Sequence, residues 1–233
     1  MGTFPKKKAT RNPVGVLSDS VSKPLARPVR RQKSGQRWYI VHVYAEYLDL
    51  SQPLLWTVAD VMTPMECASV IERIEALGPT SAPITTGQGF VMRPDIRNNT
   101  RVIIDDPHFA AELFRRITAH VPHVMKGMQV VGVNERFRCY RYEPGQRFAT
   151  HYDGAFIRNP QERSWLTFMV YLNEEFTGGE TDFPVEKTKI VPRTGMALLF
   201  QHHTLHEGCT VRSGTKYALR SDIMYRSPDT TAR

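Results

Sequence analysis

The stretch "SWLTFMVYLNEEFTGGETDFP", residues 164–184, joins a strand signal to a glycine-rich loop. Its first ten residues are mostly apolar, and the run is short enough for a buried strand. Gly178 and Gly179 then mark a loop, because paired glycines interrupt regular structure. Comparable strand signals occur on both sides, at residues 131–142, 189–192, 195–203 and 214–226. We therefore expect about seven or eight short strands from residue 130 onward.

Two helices are predicted ahead of these strands. In residues 63–78, Thr63 can cap a helix, Pro64 suits its first position, Glu66 completes a capping box, and Gly78 suits its end. One face of this helix carries the apolar residues Cys67, Val70, Ile71, Ile74 and Leu77, which we expect to be buried. Residues 106–121 predict a second helix, with Phe109, Leu113 and Ile117 spaced for burial.

This order of elements predicts an α+β fold, with helices packed on a β-sandwich or jelly-roll barrel. Residues 37–50 favour a strand, residues 83–102 a long loop, and residues 101–105 a strand that follows it. We divide the chain into a disordered basic tail (1–37), a supporting region of helices and strands (38–130) and a barrel core (131–228).

The positive charge of the chain is concentrated at its beginning. Residues 1–37 contain ten basic side chains and one acidic one, whereas the rest of the chain contains 21 basic and 22 acidic residues. A tail of this composition is expected to be disordered, and nucleic acid could bind only through it. Three scattered cysteines and the absence of a long apolar run predict an intracellular, cytoplasmic protein with no membrane contact, although nuclear or organelle import through the tail stays open.

A possible metal site begins in "RFATHYDGAF", residues 147–156. If this stretch is a strand, His151 and Asp153 point to the same face, because side chains alternate along a strand. Such a tripeptide also occurs by chance in many chains, so the pair alone does not define a site. In non-haem Fe(II) oxygenases, two histidines and one carboxylate bind one face of the metal, and the coordination positions on the opposite face stay open.

The third ligand is expected among three histidines of residues 198–211, namely His202, His203 and His206. Lys216 lies ten residues after His206, across a turn predicted at Ser213–Gly214, and a hairpin would return it to the metal. A buried lysine requires an anion, which a dicarboxylate co-substrate would supply. Of the three, His206 is preferred, and His202 and His203 are expected at the rim or behind the ligands.

In this order and spacing, "HYD", "YLNEEFTGGETDFP", "HEG" and "GTKYALRSD" resemble the prolyl 4-hydroxylase-type 2-oxoglutarate- and Fe(II)-dependent dioxygenases. The resemblance covers residues 55–226 in outline and is strongest over 134–226. It implies a double-stranded β-helix, a jelly-roll or cupin-like barrel, supported by the N-terminal helices. It also implies Fe(II), 2-oxoglutarate and O2 as cofactors and co-substrates, with ascorbate as reductant.

By the same resemblance, His151, Asp153 and His206 are the iron ligands and the catalytic centre. Lys216 would bind the distal carboxylate of 2-oxoglutarate, with Arg220 as a rival or partner in that task. Further residues expected in the 2-oxoglutarate pocket are Tyr142, Thr181, Tyr171 and Thr167. Phe148 is expected near the substrate, and Arg97 and Arg101 are expected at the entrance, where they could bind a carboxylate or backbone of the substrate.

The resemblance implies hydroxylation of an unactivated C–H bond, at C4 of a prolyl residue in a peptide or protein, with release of succinate and CO2. A free amino acid or small metabolite is an alternative substrate, because such folds act on many substrates. Nucleic-acid demethylation by the same chemistry is less favoured, because the part of the chain beyond the tail is nearly neutral. A non-catalytic binding module is the least favoured, because every ligand position is occupied by a suitable residue.

Overall fold

A computed structural model describes residues 47–87 and 89–228 of the chain. Two complete α-helices lie within these residues, α1 (Pro64–Leu77) and α2 (Pro107–Ile117), the second followed by a 3-10 turn at Thr118–His120. The predicted basic tail and most of the strand predicted at 37–50 lie outside the described residues, and residues 47–50 contain no strand. No helix among the described residues is long and apolar enough to cross a membrane.

The predicted ends of α1 are confirmed. The Thr63 hydroxyl accepts a hydrogen bond from the Glu66 backbone N–H at 3.2 Å, and the Glu66 carboxylate accepts one from the Thr63 N–H at 2.8 Å. Gly78 ends the helix with a positive φ of 68°, a conformation that glycine adopts without strain. Asp106 caps α2 by accepting a hydrogen bond from the Phe109 N–H at 3.0 Å.

The predicted buried faces are confirmed for both helices except at one position. Cys67, Ile74, Leu113 and Ile117 are fully buried, and Val70, Ile71 and Phe109 pack against them in part. Leu77 was expected in this face but is 55% exposed. It lies in the last turn of α1, at the edge of the apolar face.

Eighteen strands form in the described part of the chain. They are β1 Leu55–Val58, β2 Thr80–Ser81, β3 Ile84–Thr86, β4 Gly89–Val91, β5 Thr100–Asp105, β6 Val124–Met125, β7 Met128–Val133, β8 Arg136–Tyr142, β9 Phe148–His151, β10 Ile157–Asn159, β11 Glu162–Tyr171, β12 Thr177–Gly178, β13 Thr181–Phe183, β14 Thr188–Ile190, β15 Ala197–Gln201, β16 His206–Gly208, β17 Val211–Ser213 and β18 Lys216–Arg226.

Most strands belong to two antiparallel sheets. The large sheet has the order β1-β15-β11-β18-β8-β5-β2, with β10 paired to β11 and with β7 and β6 added at β18. The small sheet has the order β14-β13-β16-β9, and β12 pairs separately with β17. The sequence predicted seven or eight strands from residue 130, whereas twelve begin at Met128 or later, because strands of two or three residues leave no periodic pattern to detect.

Two further predictions are corrected by the strand pairing. Residues 83–102 are not one long loop, because β3 and β4 pair as a short hairpin with the register Ile84 to Val91. The chain bends at Gly214, just after β17 ends at Ser213, but β17 and β18 do not form a hairpin there. Instead β17 pairs with β12, and β18 crosses to the middle of the large sheet between β11 and β8.

The core has two layers, one on each face of the large sheet. On one face, residues of the helices pack with Phe168, Val170 and Leu219 of the sheet. On the other face, Tyr171 and Ala218 pack with Phe183 of the small sheet. Helices therefore cover one side of the large sheet and the small sheet faces the other, which confirms the predicted α+β, jelly-roll type of fold. The division at residue 130 stays a prediction.

Candidate active site

The two sheets bring together the two histidines and the aspartate that the sequence selected. His151 ends β9 and lies directly opposite His206 on β16, and Asp153 follows just beyond the end of β9. The ligand atoms of these three residues all lie within 4.8 Å of one another. The Nε2 atoms of His151 and of His206 each lie 3.8 Å from an Asp153 carboxylate oxygen. This spacing allows all three side chains to contact one metal ion.

The two histidines are oriented by backbone carbonyls. The Nδ1 atom of His151 lies 2.7 Å from the Ala149 oxygen, and Nδ1 of His206 lies 3.0 Å from the Thr204 oxygen. An Nδ1–H that donates to a carbonyl leaves the lone pair of Nε2 free for a metal. Burial lowers the pKa of His151 to about 3 and lowers the pKa of His206 as well. Both rings are therefore neutral near pH 7, the form that binds a metal.

Asp153 is held as a carboxylate by two neighbours. Thr167 donates a hydrogen bond to its Oδ2 atom at 2.6 Å, and the Arg220 guanidinium lies 3.2 Å from the same atom. Burial alone would raise the pKa of Asp153, but the charge of Arg220 and the hydrogen bond from Thr167 offset burial and keep the pKa low. The group is thus ionised and ready to bind a cation at any physiological pH.

Behind Asp153 runs a chain of buried hydrogen bonds that the sequence did not reveal. Nδ1 of His202 lies 3.0 Å from the Thr167 hydroxyl, and Nε2 of His202 lies 2.7 Å from the Ser164 hydroxyl. The Ser164 hydroxyl in turn accepts from the Phe156 N–H at 2.8 Å. If His202 donates through Nδ1, every group has a partner and Thr167 can donate to Asp153. Two positions were predicted for His202, at the rim of the site or behind the ligands. The structure places it behind them.

The predicted co-substrate lysine lies in the same cavity. Lys216 is 3% exposed, and its ammonium donates to the Gly179 carbonyl at 2.7 Å. The rings of Tyr142 and Tyr171 lie on either side, each with its centre 5.3 Å from Nζ. Within residues 47–87 and 89–228, no carboxylate pairs with Lys216, and burial lowers its pKa to about 8. A cation buried in this way is suited to bind an anion from outside the chain.

Arg220 was considered as a rival for the same task. Its guanidinium already pairs with Asp153 and with Asp222, at 3.2 Å each. Arg220 is thus neutralised by the protein, whereas Lys216 is not. Of the two cations, only Lys216 therefore has no counter-charge among the described residues.

The remaining pocket residues occupy different positions from one another. Tyr142 and Thr181 line the cavity, whereas Tyr171 lies behind Thr181 and is joined to its hydroxyl at 2.7 Å. Thr167 lines the cavity too, but its hydroxyl is engaged with Asp153. Ala218 also lines it and went unnoticed, although it lies two residues from Lys216 and so on the same face of β18.

On the far side of the triad, Phe148 stacks on His151 with the ring centres 3.5 Å apart. Arg97 was expected at an open entrance but is only 5% exposed. It lies between the rings of Tyr140 and Phe148, at 4.6 and 4.4 Å, because an isolated bridge pairs it with Phe148. Arg101 is half-buried and lies opposite Tyr140 in the large sheet.

Comparisons with known proteins agree with this geometry. Residues 137–221 match the family model described as the 2OG-Fe(II) oxygenase superfamily. The chain is 34% identical over 102 residues to a putative prolyl 4-hydroxylase of Acanthamoeba polyphaga mimivirus, covering 36% of this chain and 42% of that protein. It is 26% identical over 189 residues to the probable prolyl 4-hydroxylase 9 of Arabidopsis thaliana, covering 66% of this chain and 63% of that protein. The chain thus spans less than two thirds of the length of either relative.

Solved structures show the same fold. The viral collagen prolyl hydroxylase of Paramecium bursaria Chlorella virus-1, in its 2OG complex, has a TM-score of 0.54 and 25% identity, over 75% of this chain and 97% of that one. A prolyl hydroxylase of Trichoplax adhaerens has a TM-score of 0.56 and 15% identity, over 82% and 93% of the two chains.

The fold and the three-residue site together match the arrangement that is typical of non-haem iron oxygenases with a double-stranded β-helix. Residues 137–221 match the 2OG-Fe(II) oxygenase superfamily, and the chain as a whole is similar to prolyl 4-hydroxylases. The superfamily implies Fe(II), 2-oxoglutarate and O2. The residues present fit these groups, because the triad offers one carboxylate and two neutral imidazoles, and Lys216 offers a buried cation without a carboxylate partner among the described residues.

Proposed function

We propose that the chain is a 2-oxoglutarate- and Fe(II)-dependent dioxygenase that hydroxylates a prolyl residue of a peptide or protein at C4. One observation carries the proposal: a three-residue metal site and a buried lysine without a carboxylate partner among the described residues line the same cavity. A closed structural metal site would have no such lysine beside it and would use a fourth protein ligand. The similarity to prolyl 4-hydroxylases supports the choice of substrate.

In this proposal His151, Asp153 and His206 would hold Fe(II), and three protein ligands would leave it able to bind the co-substrate. Thr167 and Arg220 keep Asp153 ionised and fix its orientation, and so position the metal. Such support from the surrounding residues typically accounts for about 10- to 100-fold in metal affinity.

Lys216 would bind the distal carboxylate of 2-oxoglutarate, with Tyr142 and Thr181 beside it. Tyr171 would act indirectly, since its hydroxyl hydrogen-bonds the Thr181 hydroxyl at 2.7 Å and fixes it. Ala218 leaves room between Lys216 and the metal ligands, because its methyl group is the smallest side chain on this face of β18.

When bound, Fe(II) would activate O2 as the oxidant, with 2-oxoglutarate as the co-reductant, so that one oxygen atom enters the substrate C–H bond, the other enters succinate, and CO2 is released. The protein binds the substrate on the side of Phe148, Arg97 and Arg101 and excludes water there. Ascorbate would keep the iron reduced. A reducing compartment suits this chemistry, and all three cysteines are free.

The test is turnover of the full chain with Fe(II), 2-oxoglutarate and ascorbate on proline-containing peptides. We expect one oxygen atom of added mass on proline, with one succinate formed for each product. Asp153→Ala should lose both turnover and binding of Co(II), read from the visible absorption of the bound ion. Full activity of Asp153→Ala would refute the assigned triad, and succinate formation without any dependence on substrate would refute the hydroxylase.

A free amino acid is the second candidate substrate. The observation that favours it is the pair Arg97 and Arg101, which have no carboxylate partner among the described residues and suit a free α-carboxylate. Free proline offered in the same assay distinguishes the two candidates, since a peptide hydroxylase leaves it unchanged.

A further inference from the structure

The cavity-lining face of the large sheet carries a group of arginines in adjacent strands. Directly paired residues of antiparallel strands lie on the same face of a sheet. Arg101 of β5 pairs with Tyr140 of β8, and Tyr140 pairs with the cavity residue Ala218 of β18. One step further along the strands, Arg138 pairs with Arg220. Arg101 and Arg138 therefore face the same side as the metal site.

The carboxylates near this group neutralise only part of its charge. Asp222 pairs with Arg138 at 3.3 Å and with Arg220 at 3.2 Å, and Asp153 pairs with Arg220. Arg97 and Arg101 form no ion pair with any carboxylate of residues 47–87 and 89–228. The polar contacts of Arg97 are to neutral groups, since its Nε donates to the Asn99 side-chain oxygen at 2.7 Å and the Tyr142 hydroxyl lies beside the guanidinium.

Arg97 is the more deeply buried of these two arginines. Its Nη2 atom is shielded from solvent and has no hydrogen-bond partner within the described part of the chain. The guanidinium lies against the ring of Phe148, which in turn stacks on the metal ligand His151. A buried cationic donor without a partner costs free energy, and a bound anion would remove that cost.

Arg101 experiences the same excess of charge. Burial lowers the pKa of its guanidinium, and the nearby Arg97, Arg138 and Arg220 lower it further, against the opposing effect of Tyr140. Asp153 and Asp222 offset the charges of Arg138 and Arg220, so the repulsion left at Arg97 and Arg101 would be relieved by a further anion.

This excess is separate from the co-substrate site. In the antiparallel register of β18 and β8, Lys216 lies opposite Tyr142. This position is two residues along the strands from Ala218, which lies opposite Tyr140. Two residues along a strand correspond to about 7 Å, so the lysine and the arginines can each hold a different anion.

We propose that Arg97 and Arg101 bind a carboxylate of the substrate, so that the enzyme selects a substrate with a negative charge beside the hydroxylated carbon. This inference rests on the proposed function and specifies its substrate class. The planar guanidinium matches a carboxylate through paired hydrogen bonds, which a neutral amide cannot reproduce. The carboxylate could belong to an aspartate or glutamate next to proline in a peptide, or to the α-carboxylate of a free or C-terminal proline.

The test compares matched substrates that differ only in charge. The full chain with Fe(II) and 2-oxoglutarate is given Pro-Asp and Pro-Asn peptides, Pro-Glu and Pro-Gln peptides, and free proline and prolinamide. We expect kcat/KM to be at least about tenfold higher for the acid than for the amide of one pair, the size expected for a hydrogen-bonded charge. Which pair shows the difference identifies the source of the carboxylate, and equal rates within all pairs would overturn the inference.

Variants of Arg97 and Arg101 test whether these two residues cause the preference for the acid over the amide substrate. Arg101→Gln and Arg97→Gln should reduce the ratio of acid to amide towards one, and Arg101→Lys should restore part of it. Arg115→Gln is the matched control, because Arg115 lies on α2, is largely exposed and pairs with Glu112. It should keep the ratio of the wild-type chain. A ratio unchanged in both glutamine variants would overturn the assignment.

A binding measurement separates this inference from the proposed function. Each acid and amide peptide is titrated calorimetrically into the full chain loaded with metal and 2-oxoglutarate under nitrogen, so that no turnover occurs. Tighter binding of the acid, weakened at high salt and lost in Arg101→Gln, supports the carboxylate site even if no peptide is hydroxylated. Turnover without any such difference in binding or rate supports the hydroxylase and refutes the carboxylate site.

Discussion

Replacing Lys216 by methionine tests the co-substrate site through two effects of opposite sign. The ammonium is buried, makes one hydrogen bond to Gly179, and has its pKa lowered by burial from 10.5 to about 8. A pKa that is lower by about 2.5 in the folded chain corresponds to a cost of about 3 kcal/mol for keeping the charge buried near pH 7.

The direction of the pH dependence follows from proton uptake. Between about pH 8 and pH 10.5 the unfolded chain binds a proton at Lys216 and the folded chain does not. The unfolding free energy of the ligand-free protein therefore rises with pH across this window as far as this group is concerned. Lys216→Met removes the buried charge and a hydrogen bond that contributes about 1 kcal/mol. We expect the ligand-free variant to be more stable than the wild-type chain by up to about 2 kcal/mol at pH 7.

Although Lys216→Met should stabilise the ligand-free protein, it should weaken the binding of 2-oxoglutarate. Removing one partner of a buried, hydrogen-bonded charge pair costs about 2–5 kcal/mol, which corresponds to at least about 30-fold weaker binding. Wild-type binding should itself weaken above about pH 8, where Lys216 loses its proton in the empty site. Both changes are measured by calorimetric titration of the metal-loaded protein under nitrogen.

Lys189→Met is the matched control, because Lys189 is exposed and pairs with Asp182 on the small sheet. It should keep wild-type affinity for 2-oxoglutarate, and Lys216→Met should keep wild-type affinity for the metal. Unchanged binding of 2-oxoglutarate in Lys216→Met, or a ligand-free variant that is less stable by more than about 2 kcal/mol, would refute the reasoning.

Three further changes test the support of the site and of the fold. Thr167→Val removes the 2.6 Å hydrogen bond to Asp153 and should weaken metal binding by about 10- to 100-fold, measured by titration with Co(II). Thr63→Ala removes the cap of α1 and should lower the unfolding free energy by about 1 kcal/mol, measured by urea denaturation. Gly195→Ala should cost more than about 3 kcal/mol in the same experiment, because the added methyl would lie 1.9 Å from the Met62 carbonyl oxygen and Gly195 has a φ of +77°.

The parts of the fold that the sequence predicted are those with strong local signals. The capping box at Thr63 and Glu66 fixed the start of α1, and the long apolar run at 164–173 fixed the central strand β11. The strand β12 has two residues, and its partner β17 lies more than thirty residues away in the chain. Such a strand forms only because the tertiary structure brings β12 and β17 together, so no local sequence pattern could predict it.

In the candidate site, too, features with a local sequence signal could be predicted, and features that depend on the pairing of distant strands could not. His206 could be preferred over His202 because one lysine lies ten residues after it, and the structure brings His206, not His202, opposite His151. The burial of Arg97 and the role of His202 depend on which strands are neighbours and in which register. Sequence spacing carries no information on register between strands from distant parts of the chain.

Strand β18 explains how one short segment contributes both to the proposed co-substrate site and to the metal site. Lys216, Ala218, Arg220 and Asp222 alternate along it and share one face, since Ala218 and Arg220 line the cavity. Arg220 and Asp222 pair with each other and with Asp153, so their charges maintain the metal ligand. Lys216, at the end of the same strand, has no carboxylate partner in the described part of the chain. The difference between a structural cation and a binding cation on this strand is therefore whether the protein itself provides the counter-charge, and that difference makes Lys216, and not Arg220, the residue that an incoming dicarboxylate would neutralise.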